Sequence, residues 1–437
     1  MGWFAARAAP AAVILGLLLA LSAPLASAQA SPLSNDELEA RLASGPALAD
    51  LVAYAARANP MVRSARHEWR AAVERRRVAT GLPDPELMVE QGNPMEEMWM
   101  GRLTQMVPFP GKLSRAGDVA EADARVARLG TDRAAREVAL EVREAFHELS
   151  YVRSARAVIA GNRELLEHLR TVAETAFVRD RATLVDVTRA QSQLAQLRYD
   201  ALLMEELQET LTARLNAALG RPPGAPLGPL AQEPLRPLAY SLEEVHALAR
   251  EGRDEVRIAE ARIARAEAEE RLMGYERLPD FTVGLLRDPL DRGGRDSVGL
   301  IAGMTLPLWP GKNAGRVAEA RAMAESARAM RDGQLYETNT RVREAYFRLR
   351  NAERLVALYR DELLPQAANA LAVAETWYRQ GQGSFSDFAE TQAVHYNFQL
   401  ALARASSDYG TALARLERLA GRDLTARQET AGEEASR

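Results

Sequence analysis

The side chains able to move protons, attack bonds or hold metals are few in this sequence and poorly grouped. There is no cysteine, so thiol nucleophiles, disulfides, zinc–thiolate sites and iron–sulfur clusters are excluded. The five histidines (His67, His147, His168, His246 and His395) are scattered, and none stands with a serine and a carboxylate at a catalytic spacing. Gly111-Lys112 follows a strand-like stretch, but it lacks the preceding Gly-x4 that a phosphate loop requires. No enzymatic constellation and no cofactor is expected. Two clusters remain. Met88, Met95, Met98, Met100 and Met106 are five of the twelve methionines within nineteen residues. Thioethers are soft ligands for Cu(I) or Ag(I), which makes Met95, Met98 and Met100 candidate metal ligands; methionine also serves as an adaptable apolar filler. Asp387 and Glu390 lie three apart on one helical face, and Asp186 occupies the corresponding place in the first half of the chain. Repeated around an axis by three copies, such carboxylates form an acidic ring that attracts cations and repels anions. An ordinary solvated helix face has the same pattern.

The segments that must position these groups are mostly helical. The formal charge of −4 over 437 residues leaves no basic excess for a nucleic-acid partner. Residues 1–28 carry one positive charge, a short apolar run and Ala26-Ser27-Ala28, which together read as a secretory signal peptide. No other stretch of 18 apolar residues occurs, so no transmembrane helix is expected. Residues 425–437 read as a disordered tail.

The rest is an internal duplication. Pro110-Gly111-Lys112 recurs as Pro310-Gly311-Lys312 and Val142-Arg143-Glu144-Ala145 as Val342-Arg343-Glu344-Ala345, both at an offset of 200. Val172-Ala173-Glu174-Thr175 and Gly220-Arg221 recur at an offset of 201, and Leu82-Pro83-Asp84 recurs as Leu278-Pro279-Asp280 at 196. Lys112 and Lys312 are the only lysines. The repeats span 31–220 and 241–424, joined by a Pro-rich connector at 221–240.

Helical periodicity covers 48–81, 113–178 and 185–219, then 241–277, 313–379 and 385–420. The long helices reach ~100 Å at 1.5 Å per residue, and two short ones equal a long one, so end-to-end stacking gives a wall four helices wide. The seam is a heptad: Val138, Val142, Ala145, Leu149 and Val152 in one repeat, and Val342, Ala345, Leu349, Ala352, Val356, Tyr359 and Leu363 in the other. Pro365 is expected to kink the second long helix. Between short and long helices, strands are expected at about 85–92 and 100–109, and at about 281–287 and 297–308. They alternate apolar with small or polar residues, as bilayer-spanning barrel strands do, and Trp99 and Trp309 lie near their ends. Four strands cannot close a barrel, and open edges in lipid leave backbone groups unpaired. Eight strands fill their own interior, whereas twelve enclose water, so a conduit needs at least three chains. A soluble periplasmic coiled-coil scaffold, its hairpins capping a helical domain, is the alternative of another class.

The junctions Gln105-Met106-Val107-Pro108-Phe109-Pro110-Gly111-Lys112 and Thr305-Leu306-Pro307-Leu308-Trp309-Pro310-Gly311-Lys312 resemble those of the TolC-like outer-membrane efflux family. So do Leu363-Leu364-Pro365-Gln366-Ala367 and the stretch from Tyr378 to Asp387. The resemblance implies a mainly α chain with a small β part, its long antiparallel coiled-coil helices forming an α-barrel and its four transmembrane strands completing a trimeric 12-stranded β-barrel. It further implies a homotrimer in outer-membrane lipid with a large periplasmic part, opened by a periplasmic adaptor and coupled to an inner-membrane RND-type pump. Gly92-Asn93-Pro94-Met95 resembles the metal-cation branch; export of drugs or other small molecules is the alternative within the family. Some members hold the periplasmic aperture shut through a tip tyrosine bonded to an aspartate. Tyr378 and Asp186 stand at those places, beside the acidic Asp387 and Glu390, but Gly383 stands where a reinforcing arginine would be.

Overall fold

The computed structural model describes residues 35–91, 99–179, 182–231, 233–288 and 297–425. The expected signal peptide, Gly92-Asn93-Pro94-Met95, Met98 and almost all of the expected tail lie outside these residues. In the first repeat α1 (Asn35–Ser44), α2 (Leu48–Ala58) and α3 (Pro60–Thr80) precede β1 (Glu86–Gln91), β2 (Trp99–Val107), α4 (Lys112–Val178) and α5 (Leu184–Leu219). The second repeat has α6 (Leu242–Gly252), α7 (Asp254–Tyr275), β3 (Phe281–Asp288), β4 (Ser297–Met304), α8 (Pro310–Ala357), a π-turn (Leu358–Leu363), α9 (Leu364–Gln380) and α10 (Phe385–Ala420).

Several boundaries depart from the sequence reading for local reasons. The helix expected at 48–81 breaks at Asn59, because Pro60 cannot donate a backbone hydrogen bond. Asn59 instead caps α3, its side chain accepting from Met61 N at 2.8 Å and donating to Ala218 O at 2.7 Å. The helix expected at 241–277 breaks likewise at Arg253, which is extended. The last strand ends at Met304 rather than 308, since Pro307 has no N–H to give. Pro365 does not break its helix: the preceding π-turn absorbs the missing donor, with Leu364 N–H bonded to Tyr359 O. That turn also adds one residue, where the repeat offset changes from 200 to 201. The seam of α8 accordingly stops at Val356, and Tyr359 and Leu363 are only half-buried.

Packing centres on α4, which is 67 residues long, or ~100 Å. Along its strand-proximal part it lies between α3 and α7, and along its distal part between α5 and α10; α8 flanks α7 and α10. The wall is thus four helices wide, α3 and α5 on one margin and α8 and α9 on the other. Its seam continues past Val152 through Ala155, Ile159, Asn162, Leu166, Leu169 and Ala173, all buried at spacings of three or four. Small residues let the axes close in. A Cβ on Gly410 of α10 would lie 2.3 Å from the His147 ring on α4. Burial, reinforced by Arg143, drives the His147 pKa down to about 4.

At the α6–α7 break charges enter the wall. Asp254 is fully buried against Arg136 and Arg418, while Arg418 donates to Glu255 at 2.8 Å and Arg253 to Thr338 at 2.7 Å. Burial alone would raise the Glu255 pKa; the Arg418 hydrogen bond and charge, a backbone N–H and Arg253 bring it to about 2.

Two outcomes are expected. Gly410→Ala should cost about 1–3 kcal/mol by overpacking against His147, read as a lower melting temperature. Glu255→Gln should destabilise most near pH 7. A depressed carboxylate pKa contributes stability above its unfolded value of 4.5 and loses it as pH falls toward 2, so the gap between the two proteins should close over that window in pH-dependent urea melts.

Candidate functional site

The four strands form one antiparallel sheet in the order β1-β2-β3-β4. Its register sorts the side chains onto two faces. One carries a row of leucines, Leu87 opposite Leu103, Leu103 opposite Leu285 and Leu285 opposite Leu300. Val89, Val107, Phe281, Val283, Val298, Ala302 and Met304 share that face by the two-residue period. Most of them stand exposed; Leu300 is 87% exposed and Leu87 70%. The other face carries Glu86, Glu90, Arg102, Thr104, Thr282 and Ser297, with glycines at 284, 299 and 303 and two large apolar residues, Leu286 and Ile301, beside its methionines. A mainly apolar face, interrupted by Gln91, Gln105 and Arg287 toward the strand ends, backed by a more polar one is the pattern of a strand set between hydrocarbon and water. With 8–9 residues in each longer strand and ~3.4 Å per residue, tilted strands span ~20–25 Å.

The methionines separate. Met88, Met100 and Met106 all lie on the polar face, Met88 opposite Arg102 and Met100 opposite Glu90. Met88 and Met100 are therefore diagonal neighbours, and Met106 is six residues further along β2. Met95 and Met98 lie outside the described residues. Among the described residues no group of three or more histidines and carboxylates is placed to hold a metal ion.

Strand gives way to helix at a tight clamp. Gly111 adopts φ 98°, and a Cβ there would come within 2.7 Å of the Tyr275 ring, so only glycine fits. Arg115 covers that same ring, 5.5 Å from its centroid. Lys112, buried at 6% exposure, places Nζ 2.8 Å from Asp280 Oδ1, and Phe109 N donates to the same carboxylate at 2.9 Å. Phe109 also stacks on Phe281 at 6.4 Å. Burial works against the Asp280 charge, but these donors hold its pKa below the ordinary value. The clamp joins the repeats: its lysine comes from one and its aspartate from the other. Sequence reading noted both motifs yet did not connect them. The signal was available, since the sole lysines and the Leu-Pro-Asp turns recur together.

At the opposite end α4–α5 and α9–α10 make two hairpins. Thr183 and Asp186 form a capping box, Thr183 N and Oγ1 donating to Asp186 Oδ2 at 2.9 and 2.8 Å. Ser384 caps α10 by accepting from Asp387 N at 3.1 Å. Arg189 donates to Ser386 at 2.6 Å and ties the hairpins together. Asp387 and Glu390 are both exposed, one turn apart on α10. Tyr378 packs against Phe385 and Phe388, at 5.6 and 6.2 Å between rings. Its hydroxyl is buried without a hydrogen-bond partner, and burial followed by the nearby Asp186 charge raises its pKa. The expected pair is thus brought close but not bonded, because Asp186 spends its carboxylate on the cap. Sequence reading missed a buried polar step in the seam, where Gln392 donates to Asn162 at 2.7 Å and Asn162 to Gln399 at 3.2 Å.

Residues 245–422 match the family described as outer membrane efflux protein. Solved structures with the same fold include the outer membrane protein VceC of Vibrio cholerae, 17% identical, TM-score 0.69, covering 86% of this chain and 96% of that one. CusC, studied for transmembrane channel formation, is 13% identical with a TM-score of 0.73 over 86% of this chain and 92% of its own. The open state of the Neisseria gonorrhoeae MtrE outer membrane channel is 15% identical with a TM-score of 0.71, over 86% and 89%. No curated protein matches the chain by sequence. The second repeat thus matches the outer membrane efflux protein family, and the chain carries the fold of these solved channels.

Removing a buried hydroxyl that has no partner is neutral or stabilising. Tyr378→Phe should leave the melting temperature unchanged or raised; a fall would reveal a bonded latch in the assembled protein.

Proposed function

We propose that the chain is the outer-membrane conduit of a tripartite efflux system, three copies closing a twelve-stranded barrel in the membrane and a helical barrel beneath it. The observation that carries this reading is the sheet: mainly apolar on one face, more polar and glycine-rich on the other, with both edges open. In hydrocarbon each unpaired backbone group costs several kcal/mol, so the edges must meet other copies. The margins of the helical wall agree. Val73 and Val78 on α3 and Leu202 and Leu203 on α5 are exposed on one margin, and Tyr336 and Phe347 on α8 and Trp377 on α9 on the other. Among the described residues no helix is long and apolar enough to cross a membrane. The conduit does no chemistry of its own. A periplasmic adaptor and an inner-membrane pump supply opening and energy, in keeping with the family.

The cargo proposed is metal cations. Three copies set Asp387 and Glu390 in a ring at the narrow end, and the methionines of the polar face line the barrel lumen. A water-filled tube selects by width and charge, so small-molecule export is the alternative cargo for the same tube.

Purified protein in planar bilayers should form cation-preferring channels. Asp387→Asn with Glu390→Gln should reduce that preference several-fold while leaving the pore intact. Unchanged selectivity removes the acidic aperture, and recovery of the protein in the soluble periplasm removes the conduit.

A further inference from the structure

The duplication allows contacts seen inside one chain to be carried over to the contacts between chains. Superposing the two hairpins on their registers maps β1 onto β3 with an offset of 196 and β2 onto β4 with an offset of 199; Glu86 opposite Thr104 becomes Thr282 opposite Gly303, as observed. Between the repeats β2 pairs with β3, Leu103 opposite Leu285 and Gln105 opposite Val283. The same step leads from β4 to β1 of the next copy. It sets Ala302 opposite Val89 and Met304 opposite Leu87, which keeps all four on the apolar face.

Several ion pairs cross from the first repeat to the second, and two of them have oppositely charged residues at both repeat-equivalent places: Lys112 to Asp280 at 2.8 Å, and Glu144 to Arg415 at 2.6 Å. Their repeat equivalents are Lys312 with Asp84, and Glu344 with Arg214. All four equivalents are exposed, and among the described residues none of them makes an ion pair. Opposite charges thus wait at matching places on the two margins of the wall: Asp84 and Arg214 on the margin of α3 and α5, Lys312 and Glu344 on α8.

We infer that the partner on each margin is a second copy of this chain, held by Lys312 against Asp84 of the partner subunit and by Glu344 against Arg214 of the partner subunit. The interface between chains then repeats the charge pairing between repeats, and three chains present six Lys–Asp pairs around the rim, three of them starting from a left-handed Gly111 and three from a helical Gly311. The inference rests on the multi-copy conduit proposed above and specifies which residues close it. A clamp that replicates a buried Lys–Asp contact also fixes strand register, because a slip by one residue would turn the apolar face inward.

The absence of cysteine gives a clean test. In membranes, Asp84→Cys with Lys312→Cys treated with a short bismaleimide should give a denaturing-gel ladder of two and three linked chains. Lys112→Cys with Asp280→Cys should link within one chain and give no ladder. Lys312→Asp should lower the temperature at which the oligomer dissociates, and adding Asp84→Lys should restore it. An intact conducting oligomer without the ladder and without the charge-swap rescue overturns the clamp and leaves the conduit standing. A lone protomer in the membrane extract overturns the conduit, and the clamp with it.

Discussion

Backbone hydrogen bonding along the outer edges of β1 and β4 is the constraint on which the rest of the structure depends. Inside the chain every strand junction is paired, β1 to β2, β2 to β3 and β3 to β4, and the pairing stops at the two outer strands. In water such edges would be a modest liability; in hydrocarbon they cannot persist. In the proposed conduit a sheet of this kind is therefore one part of a closed object rather than a small domain. The helical wall inherits the same incompleteness, because each strand pair feeds directly into helices whose margins follow the sheet edges.

That inheritance depends on rigid junctions. A flexible link between β2 and α4 would let barrel and wall rotate independently. The left-handed Gly111 against the Tyr275 ring and the Lys112–Asp280 pair prevent it. The lysine is nearly buried, where an ion pair gains from low screening only if its partners are fully satisfied. Asp280 meets this condition by accepting from both Lys112 and Phe109. Farther down, most ion pairs join exposed arginines to exposed carboxylates and contribute little each. The wall there is held by its alanine-rich seam, where close axes bring many weak contacts together.

The long elements were legible in the sequence because their periodicity runs over many turns; α4 differs from its expected 113–178 by a single residue at its start. Breaks at Asn59 and Arg253 were not, since each continues the same helical face across one non-helical residue. The π-turn left a trace, a shift of one in the repeat offset, but an offset alone does not say where in a helix the extra residue is absorbed. At the tip, the family resemblance implied a tyrosine bonded to an aspartate; Tyr378 and Asp186 stand near each other without that bond. Capping decided the rest: the carboxylate of Asp186 is drawn to Thr183 at 2.8 Å, and the phenol is left among aromatic rings. Pairings over hundreds of residues, such as Asn162 with Gln392, are set by topology and have no local signature.

A tube built this way has little scope for a fitted substrate pocket along its length. On the polar face of the sheet, glycines at 284, 299 and 303 give the side chains of three positions nothing to reach with, which widens the interior rather than shaping it. The charged side chains that remain there, Glu86, Glu90 and Arg102, are of both signs on neighbouring strands, so Arg102 offsets part of the carboxylate charge on that face. Discrimination by charge must then fall where carboxylates of one sign converge and the bore is narrowest. In the proposed conduit that is the α10 end, where Asp387 and Glu390 are exposed one turn apart and, among the described residues, form no ion pair.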